Sequence, residues 1–229
     1  MHRGIKSFVL RAGRVSARQQ QALDQGLTAY LLPPPGEPWC LATLFGRTAE
    51  TVVEIGFGMG RSLVEMAKAA PLVNFIGIEV HQAGIGALVA SLRDEGISNV
   101  RIAPYDAIEV FYTCLPKESL LGVQIFFPDP WPKKRHHKRR LIQSDFIQWV
   151  IQAIKIGGTI HCATDWEEYA HTIHSVLSAA SELQNQDPAG GFVSRPLTRP
   201  LTKFEERGQR LGHGVWDLIF IKKGVYSPD

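Results

Sequence analysis

Residues 51–70 read TVVEIGFGMGRSLVEMAKAA, and this stretch decides the fold. An apolar, β-branched run enters a turn with a glycine at every second position, and a segment with helical spacing of apolar residues follows. A strand, a glycine turn and a helix in this order are typical of a βαβ unit that binds a nucleotide-like ligand at the carboxyl end of its strand. We therefore predict a ligand site at Gly56, Gly58 and Gly60.

The same alternation continues toward the C-terminus. Amphipathic helices separate most of the later apolar runs, and one of them is predicted over residues 141–155, ending at the glycine pair 157–158. This pattern predicts an α/β protein with a doubly wound, mostly parallel, seven-stranded sheet and helices on both faces. The further predicted strands are NFIGIEV (74–80), NVRIA (99–103), GVQIFF (122–127), GTIHCAT (158–164), FVS (192–194) and VWDLIFIKK (215–223).

Length and composition indicate one globular domain. The 229 residues are 45% hydrophobic and 21% charged, and the net charge is only +3. Basic residues are concentrated in the first eighteen residues and in 133–140. We predict a basic N-terminal arm with a proline-rich connector over 1–40 and a single catalytic domain over 41–229. The arm is either a solvated tail or a segment that orders on a polyanion.

Several classes of protein are disfavoured by the same inspection. Cys40, Cys114 and Cys162 form neither a disulfide framework nor a zinc-binding pair, which predicts reduced thiols in the cytoplasm. No apolar run approaches the ~20 residues that a membrane span needs. His171 and His174 have i,i+3 spacing but no third ligand nearby, so we expect them on a helix surface and expect no metal.

Three acidic residues each lie at the C-terminal end of a successive predicted strand. Glu54 precedes the glycine turn, where its charge opposes a pyrophosphate, and the G-x-G-x-G spacing also differs from that of dinucleotide sites. Glu79 is placed to accept from ribose hydroxyls, and Asp106 from an adenine amino group. A cationic ligand would suit the carboxylate of Glu54 better than a pyrophosphate. A ligand that combines adenosine with a positive centre describes S-adenosylmethionine. The alternative is a plain strand-to-helix connection, which leaves the three acids unexplained.

The stretch FFPDPWPKKRHHKRR (126–140) combines a rigid turn with a dense basic run. Three prolines stiffen the turn and aim Asp129 and Trp131 outward. Residues 133–140, here named the basic strip, hold six Lys or Arg among eight residues. These cations are predicted to stand at the start of the next helix, where they oppose its dipole, so we favour polyanion binding over a solvated helix face. The alternatives are a turn-forming Asp129 and a core Trp131.

Five segments together resemble the bacterial tRNA (guanine-N7-)-methyltransferases. They are EIGFGMG, GIEVH, FPDPWPKKRHHKRR, ATDWEEYA and TKFEERGQRLGHGVWDL, and the likeness runs from about residue 8 to residue 222. The resemblance implies a Rossmann-like class I methyltransferase fold whose last strand is antiparallel. It also implies methyl transfer from S-adenosylmethionine to N7 of guanine 46 in the variable loop of tRNA, giving 7-methylguanosine.

The resemblance further assigns roles to individual residues, with Asp129 as the catalytic acid. The implied cofactor-binding residues are Glu54, Gly56, Gly58, Gly60, Glu79, Asp106 and Asp129. The implied substrate-binding residues are Lys133, Asp165, Thr202, Lys203, Phe204 and Glu205. The implied RNA-binding residues are Arg135, His136, His137, Lys138, Arg139 and Arg140.

Other functions stay open at this point. They are a methyltransferase acting on another RNA or a protein, a nicotinamide-dependent oxidoreductase, and an RNA-binding module without catalysis. The sequence also leaves open a monomer or a homodimer, and whether Trp131 or Phe204 stacks on the target base.

Overall fold

The computed structural model describes residue 8, residues 14–201, residue 205 and residues 214–224. Seven strands form one sheet in the order β3-β2-β1-β4-β5-β7-β6. Neighbours among β1 to β5 are parallel, and β7 is antiparallel to both β5 and β6. The predicted doubly wound sheet with an antiparallel last strand is confirmed. The strands are β1 Thr51–Ile55, β2 Asn74–Ile78, β3 Val100–Ala103, β4 Leu120–Phe126, β5 Ile154–Thr164, β6 Leu183–Asn185 and β7 Trp216–Lys222.

Helices cover both faces of this sheet. One buried core packs the sheet against α1, α3 and α4, and the other packs it against α5, α6 and α7. Within the described ranges, no helix combines the length and the apolar character needed to cross a membrane. The helices are α1 Ala17–Gly26, α2 Leu41–Phe45, α3 Arg61–Ala69, α4 Gln82–Asp94, α5 Ala107–Thr113, α6 Ser144–Ala153 and α7 Glu167–Ser178.

The strand order reverses between β1 and β4, and this reversal positions the site. Strands β2 and β3 lie on one side of β1, while β4, β5 and β7 lie on the other. The loops after β1 and β4 therefore leave in opposite directions and open a crevice at the carboxyl edge of the sheet. All residues of β1 and β2 are buried, as expected of central parallel strands covered on both faces.

The described part of the predicted arm and connector packs onto this domain. Helix α1 begins with a capping box between Ser16 and Gln19. A Cβ at Gly26 would lie 2.9 Å from a Val89 side-chain carbon, so α1 and α4 approach closely at this glycine. Beyond α1, Leu32 donates its backbone N–H to the Ile102 carbonyl at 2.9 Å and extends the edge of the sheet beside β3.

The sixth strand lies earlier in the chain than predicted. It is Leu183–Asn185, paired antiparallel with β7, whereas the FVS segment contributes only an isolated bridge from Val193 to Asp217. The prediction at 192–194 was wrong because β6 is three residues long and two of these residues are polar. Such a short edge strand has no apolar alternation to distinguish it from a loop.

The glycine pair 157–158 does not end helix α6. The helix spans Ser144–Ala153 rather than 141–155, and β5 starts at once at Ile154. Leu120 pairs with Ile154 but Gly122 pairs with Thr159, so the residues between form a bulge in the strand. Gly157 adopts the left-handed conformation that this bulge requires, with φ of 79°. Glycine therefore marks a strand irregularity here and not a helix stop.

Candidate active site

The glycine turn after β1 is shaped by three left-handed residues. Gly56, Gly58 and Gly60 have φ values of 74°, 57° and 78°. These values favour glycine because a Cβ would clash with the backbone there. Gly56 donates its N–H to the Ile78 carbonyl at 2.8 Å, which fixes the turn to the end of β2. The backbone of the turn therefore lies directly against the crevice.

Glu54 places a carboxylate beneath this turn, at the end of β1. Its side chain is only 2% exposed, and Oε1 accepts the Ser62 hydroxyl at 2.7 Å. Oε2 is also buried and has no hydrogen-bond partner within the described part of the chain. Burial, and to a smaller extent the charge of Glu79, raise the pKa of Glu54 to about 7. An oxygen of this kind is suited to a cationic ligand donor.

Glu79, at the end of β2, holds the glycine turn in place. Its Oε2 accepts the Gly58 N–H at 3.0 Å, and its Oε1 accepts the backbone N–H groups of Val80 and His81 at 2.7 and 3.0 Å. A carboxylate oxygen can accept two hydrogen bonds, and Oε2 accepts only the one from Gly58 among the described residues. The residue thus fixes the local backbone and retains acceptor capacity for ligand hydroxyls.

Asp106 caps the helix that follows β3. It is the N-cap of α5, and its Oδ1 accepts the Ile108 N–H at 3.0 Å. The flanking residues Tyr105 and Ala107 line the cavity described next. The predicted contact between Asp106 and an adenine amino group remains a prediction, and it would use the second carboxylate oxygen.

A cavity of about 490 Å³ joins the ends of β1, β2 and β4. This volume is within the range of small-molecule sites, roughly 300–1,000 Å³. Its walls combine apolar side chains such as Ile78 and Phe57 with the carboxylates of Glu54, Glu79 and Asp129. S-adenosylmethionine fits this lining, because the unpartnered buried oxygen of Glu54 matches its ammonium donor and the apolar walls match its adenine ring.

The loop after β4 carries the third of these carboxylates. In this loop, here named the Asp129 turn (residues 127–132), Phe127 and Trp131 have φ values of 51° and 45°. Left-handed backbone is unusual for aromatic residues and indicates local strain. Phe127 donates its N–H to the Ala163 carbonyl at 2.7 Å, so the turn is fixed to β5. Asp129 is exposed at the mouth of the cavity.

The basic strip follows directly and has its own structure. Residues Lys134–Arg139 form a 3₁₀ helix that ends before α6 begins at Ser144. The prediction that the cations stand at the start of the next helix was wrong, since they precede α6 and their charges do not lie in its first turn. The Arg139 guanidinium lies 5.2 Å from the Trp131 ring centroid, and the His136 ring meets the same indole edge-on at 6.0 Å. Trp131 is thus packed into the strip.

Comparison with known proteins identifies the family. A model of the family described as "putative methyltransferase" matches residues 48–218. The tRNA (guanine-N(7)-)-methyltransferase of Legionella pneumophila strain Paris is 62% identical, over 100% of this chain and 98% of that protein. The enzyme of the same name from Pseudomonas putida strain W619 is 53% identical, over 97% of this chain and 93% of that protein. This chain belongs to the tRNA (guanine-N(7)-)-methyltransferase family.

Solved structures agree on the fold. The chain is similar to a 16S rRNA (adenine(1408)-N(1))-methyltransferase from Catenulisporales acidiphilia with cosubstrate SAM, with a TM-score of 0.54 and 18% identity over 82% of this chain and 92% of that one. An rRNA methylase from Streptococcus thermophilus gives a TM-score of 0.52 with 14% identity, over 77% and 88% of the two chains. The S-adenosylmethionine-dependent class I methyltransferase fold predicted for this family member is confirmed.

The structure places several substrate residues predicted for a tRNA (guanine-N(7)-)-methyltransferase at the same edge of the sheet. Asp165 follows β5 directly and is exposed, and Phe126 pairs with Ala163 in the neighbouring strands. Asp129 and Asp165 therefore leave adjacent parallel strands at the same level. Lys133 is exposed at the start of the 3₁₀ helix. Thr202, Lys203 and Phe204 lie outside the described residues.

Glu205, the last residue of the predicted substrate-binding run, lies in a buried charge network. Arg199 donates to Glu205 Oε2 at 2.6 Å and to both carboxylate oxygens of Asp217 at 2.7 and 2.8 Å. His161 on β5 also bonds Asp217, at 2.8 Å. Burial would raise the pKa of Asp217, but the bonds from His161 and Arg199 outweigh it and hold that pKa below its usual value. Glu205, only 2% exposed, is joined through Arg199 to Asp217 of β7 and is not among the residues that line the cavity.

Arg140 also departs from its predicted role. Its side chain is 3% exposed, whereas Lys133, Lys134, Arg135 and Lys138 of the basic strip are exposed. Its guanidinium is bonded inside the protein, to a backbone carbonyl and to side chains of α7. A buried and bonded guanidinium is not presented to a phosphate. The buried position of Arg140 therefore does not fit its predicted contact with RNA.

Two residues of the site were missed by sequence reasoning. The Ser62 hydroxyl donates a hydrogen bond to Glu54, eight residues earlier in the chain. The position of Ser62 in the first turn of α3, directly after the glycine turn, was the available signal for this contact. Gly84 allows α4 to lie against the glycine turn, because a Cβ there would be 2.1 Å from the Gly58 carbonyl oxygen. A glycine in the first turn of a helix after a strand was the available signal.

Proposed function

We propose that this protein transfers the methyl group of S-adenosylmethionine to N7 of guanine 46 in the variable loop of tRNA, forming 7-methylguanosine. The observation that carries the proposal is the position of Asp129. It lines the cavity on one side and lies in the turn that leads into the basic strip on the other. One rigid segment thus connects a cofactor-sized cavity to a surface suited to phosphates.

The chemistry requires positioning more than proton transfer. Bound S-adenosylmethionine supplies a methyl group on a positively charged sulfur. Guanine N7 has an exposed lone pair, so no residue of the chain has to remove a proton before attack. Positive charge develops on the guanine ring as the new bond forms, and carboxylates placed beside the ring stabilise it.

Asp129 and Asp165 are the residues proposed to hold the base. Both are exposed, and both follow strands that are neighbours in the sheet. Two carboxylates match the N1–H and N2–H₂ donors of guanine, a donor set that adenine lacks. Losing one of these carboxylates is expected to cost on the order of 10²–10³ in rate. Thr202, Lys203 and Phe204 complete the proposed base site.

Glu54, Glu79 and Asp106 are the residues proposed to bind the cofactor. Glu54 would meet the ammonium group, Glu79 the ribose hydroxyls and Asp106 the adenine amino group, with the backbone of Gly56, Gly58 and Gly60 close to the methionine portion. Support comes from the unpartnered Oε2 of Glu54 and from the cavity lining.

The basic strip without Arg140 is the proposed RNA track. Lys134, Arg135 and Lys138 are exposed on its 3₁₀ helix. Burial and the charges of the surrounding cations lower the pKa of His136. Lys133, exposed at the start of this 3₁₀ helix, is proposed to contact the substrate.

The remaining assignments concern the whole chain. We propose residues 41–229 as the catalytic domain, with residues 1–40 as an accessory segment that contributes Phe8 to the cavity wall. We also propose a cytoplasmic location, which is supported by three free cysteines.

The test is transfer of tritiated methyl groups from S-adenosylmethionine to tRNA lacking the modification, followed by digestion and identification of the labelled nucleoside. Label in 7-methylguanosine that is lost when the tRNA carries adenine at position 46 supports the proposal. Label in another nucleoside, or label in protein substrates with none in tRNA, contradicts it.

A further inference from the structure

The bonding of Arg140 singles it out from the rest of the basic strip. Its Nε donates to the Pro130 carbonyl at 2.8 Å, and Nη1 donates to Glu168 Oε1 at 3.0 Å and to the Thr172 hydroxyl at 3.1 Å. Nη2 donates to Glu168 Oε2. The guanidinium also lies 4.6 Å from the centroid of the buried Tyr169 ring. Three sides of the group are thus occupied by protein atoms.

The groups that Arg140 joins belong to the two halves of the base site. Pro130 is the residue after Asp129, whereas Glu168 and Thr172 lie on α7, the helix that follows Asp165. Asp129 is itself close to this cluster, because its charge is one of the smaller causes that, after burial, raise the pKa of Tyr169. Arg140 therefore bridges the loop of one carboxylate and the helix of the other.

The Asp129 turn depends on such a donor. Pro128, Pro130 and Pro132 have no backbone N–H, so the turn can donate few hydrogen bonds of its own. Its backbone carbonyls must instead be held by donors from elsewhere, and Arg140 supplies one to Pro130. The strained backbone at Phe127 and Trp131 increases this dependence, because strain persists only where surrounding contacts fix it.

We propose that Arg140 is a positioning residue that holds the Asp129 turn against α7, and that it does not contact tRNA. This inference rests on the proposed function, because the position of Asp129 matters through methyl transfer to guanine. Hydrogen bonding to Arg140 lowers the pKa of Glu168, which keeps this partner ionised across the working pH range. Reaching a phosphate would require Arg140 to leave a carboxylate it already holds with both terminal nitrogens, which is costly for a buried charge.

A matched pair of variants separates a positioning role of Arg140 from a contact with phosphate. In Arg140→Gln we expect kcat for methylation of tRNA to fall on the order of tenfold or more, since small displacements of positioned groups cost at least this much. We expect KM for tRNA to change less than about twofold and the salt dependence of tRNA binding to stay at the wild-type slope. The matched control Arg135→Gln, in the exposed part of the basic strip, should raise KM and reduce that slope by about 1.

Glu168→Ala tests the same bridge from its other end. Positioning predicts that removing this acid lowers kcat, and that its effect and that of Arg140→Gln are less than additive in the double variant. Phosphate contact predicts the opposite, because a released guanidinium and one negative charge fewer would tighten tRNA binding at unchanged kcat. The Glu168 side chain is 54% exposed, so water can enter the space that this variant vacates and solvate the Arg140 guanidinium, and the variant is expected to fold even if Arg140→Gln does not.

The outcomes distinguish this inference from the proposed function. If the wild-type protein forms no 7-methylguanosine, the proposed function fails, whereas the slope of tRNA binding still tests the role of Arg140. If the wild-type protein is active and Arg140→Gln lowers the slope by about 1 at unchanged kcat, the positioning role is overturned. Tighter tRNA binding by Glu168→Ala at unchanged kcat would overturn it as well.

Discussion

Glu54 accepts the Ser62 hydroxyl through one carboxylate oxygen at 2.7 Å, while its other oxygen is buried beside the cavity. Burial raises the pKa of Glu54 to about 7, so the free protein holds a mixture of neutral and ionised carboxyl at neutral pH. A cationic cofactor binds the ionised form. We expect the affinity for S-adenosylmethionine to increase about tenfold between pH 5.5 and 7, measured by isothermal titration calorimetry.

Glu54→Gln provides the control for this pH dependence. The amide occupies the same volume but does not titrate, so the variant should bind more weakly at pH 7 and its affinity should be nearly flat over the same range. An unchanged pH dependence in Glu54→Gln would show that another group is responsible.

The same carboxyl makes the stability of the protein depend on pH. In the folded protein the pKa of Glu54 is about 7, above its ordinary value of 4.5. This carboxyl therefore costs no stability below about pH 4.5, and the free energy of unfolding falls as the pH rises from there through about 7. Glu54→Gln should therefore raise the free energy of unfolding by about 1–3 kcal/mol at pH 8 and by much less at pH 5. Denaturant unfolding at the two pH values measures this, and an equal effect at both would contradict it.

The proposed RNA track predicts a specific salt dependence. Lys134 and Lys138 are exposed on the 3₁₀ helix, and replacing both with Gln should weaken tRNA binding and flatten the plot of log affinity against log salt by about 2. Lys117→Gln is a suitable control, because this exposed residue precedes β4 at the opposite edge of the sheet. If Lys117→Gln weakened tRNA binding as much as the double variant, tRNA would be attracted by the charge of the whole surface and not bound at the basic strip.

The buried network around Arg199 is predicted to stabilise the C-terminal part of the domain. Arg199→Met removes the cation between Asp217 and Glu205 and leaves two buried carboxylates near each other. This should cost about 3–5 kcal/mol of unfolding free energy. Arg195→Met makes the same chemical change at a more exposed residue whose distance to Glu205 is 3.6 Å, and should cost under ~1 kcal/mol. Thermal unfolding of both variants decides the point, and similar losses would contradict the assignment.

The cofactor side of the site was predictable because its signals are local. Each strand, its turn and its acid are adjacent in sequence, and the carboxyl ends of parallel strands meet at one edge of the sheet. Glu54 and Glu79 thus lie where the strand pattern placed them. The Asp129 turn was also evident, because three prolines within five residues restrict its backbone locally and end the preceding strand.

The substrate side was less predictable because its contacts are distant in sequence. Arg140 meets Glu168 across 28 residues and Arg199 meets Asp217 across 18 residues, and neither spacing forms a pattern along the chain. In the basic strip, the sequence also did not indicate that Arg140 is buried, because charge alone does not show which side chain of a basic run faces the protein interior. Glu205 was assigned to the substrate for a similar reason, as its segment resembles a binding motif although this carboxylate is bonded inside the protein.

The most direct test of the central claim compares wild-type protein with Asp129→Asn in single-turnover methylation of unmodified tRNA. We predict that the wild type labels 7-methylguanosine and that Asp129→Asn binds tRNA and S-adenosylmethionine within about threefold of wild type while its rate falls on the order of 10²–10³. Asparagine preserves the shape of the turn and removes the charge. A near-native rate in this variant with both ligands bound would contradict the role of Asp129 between donor and base.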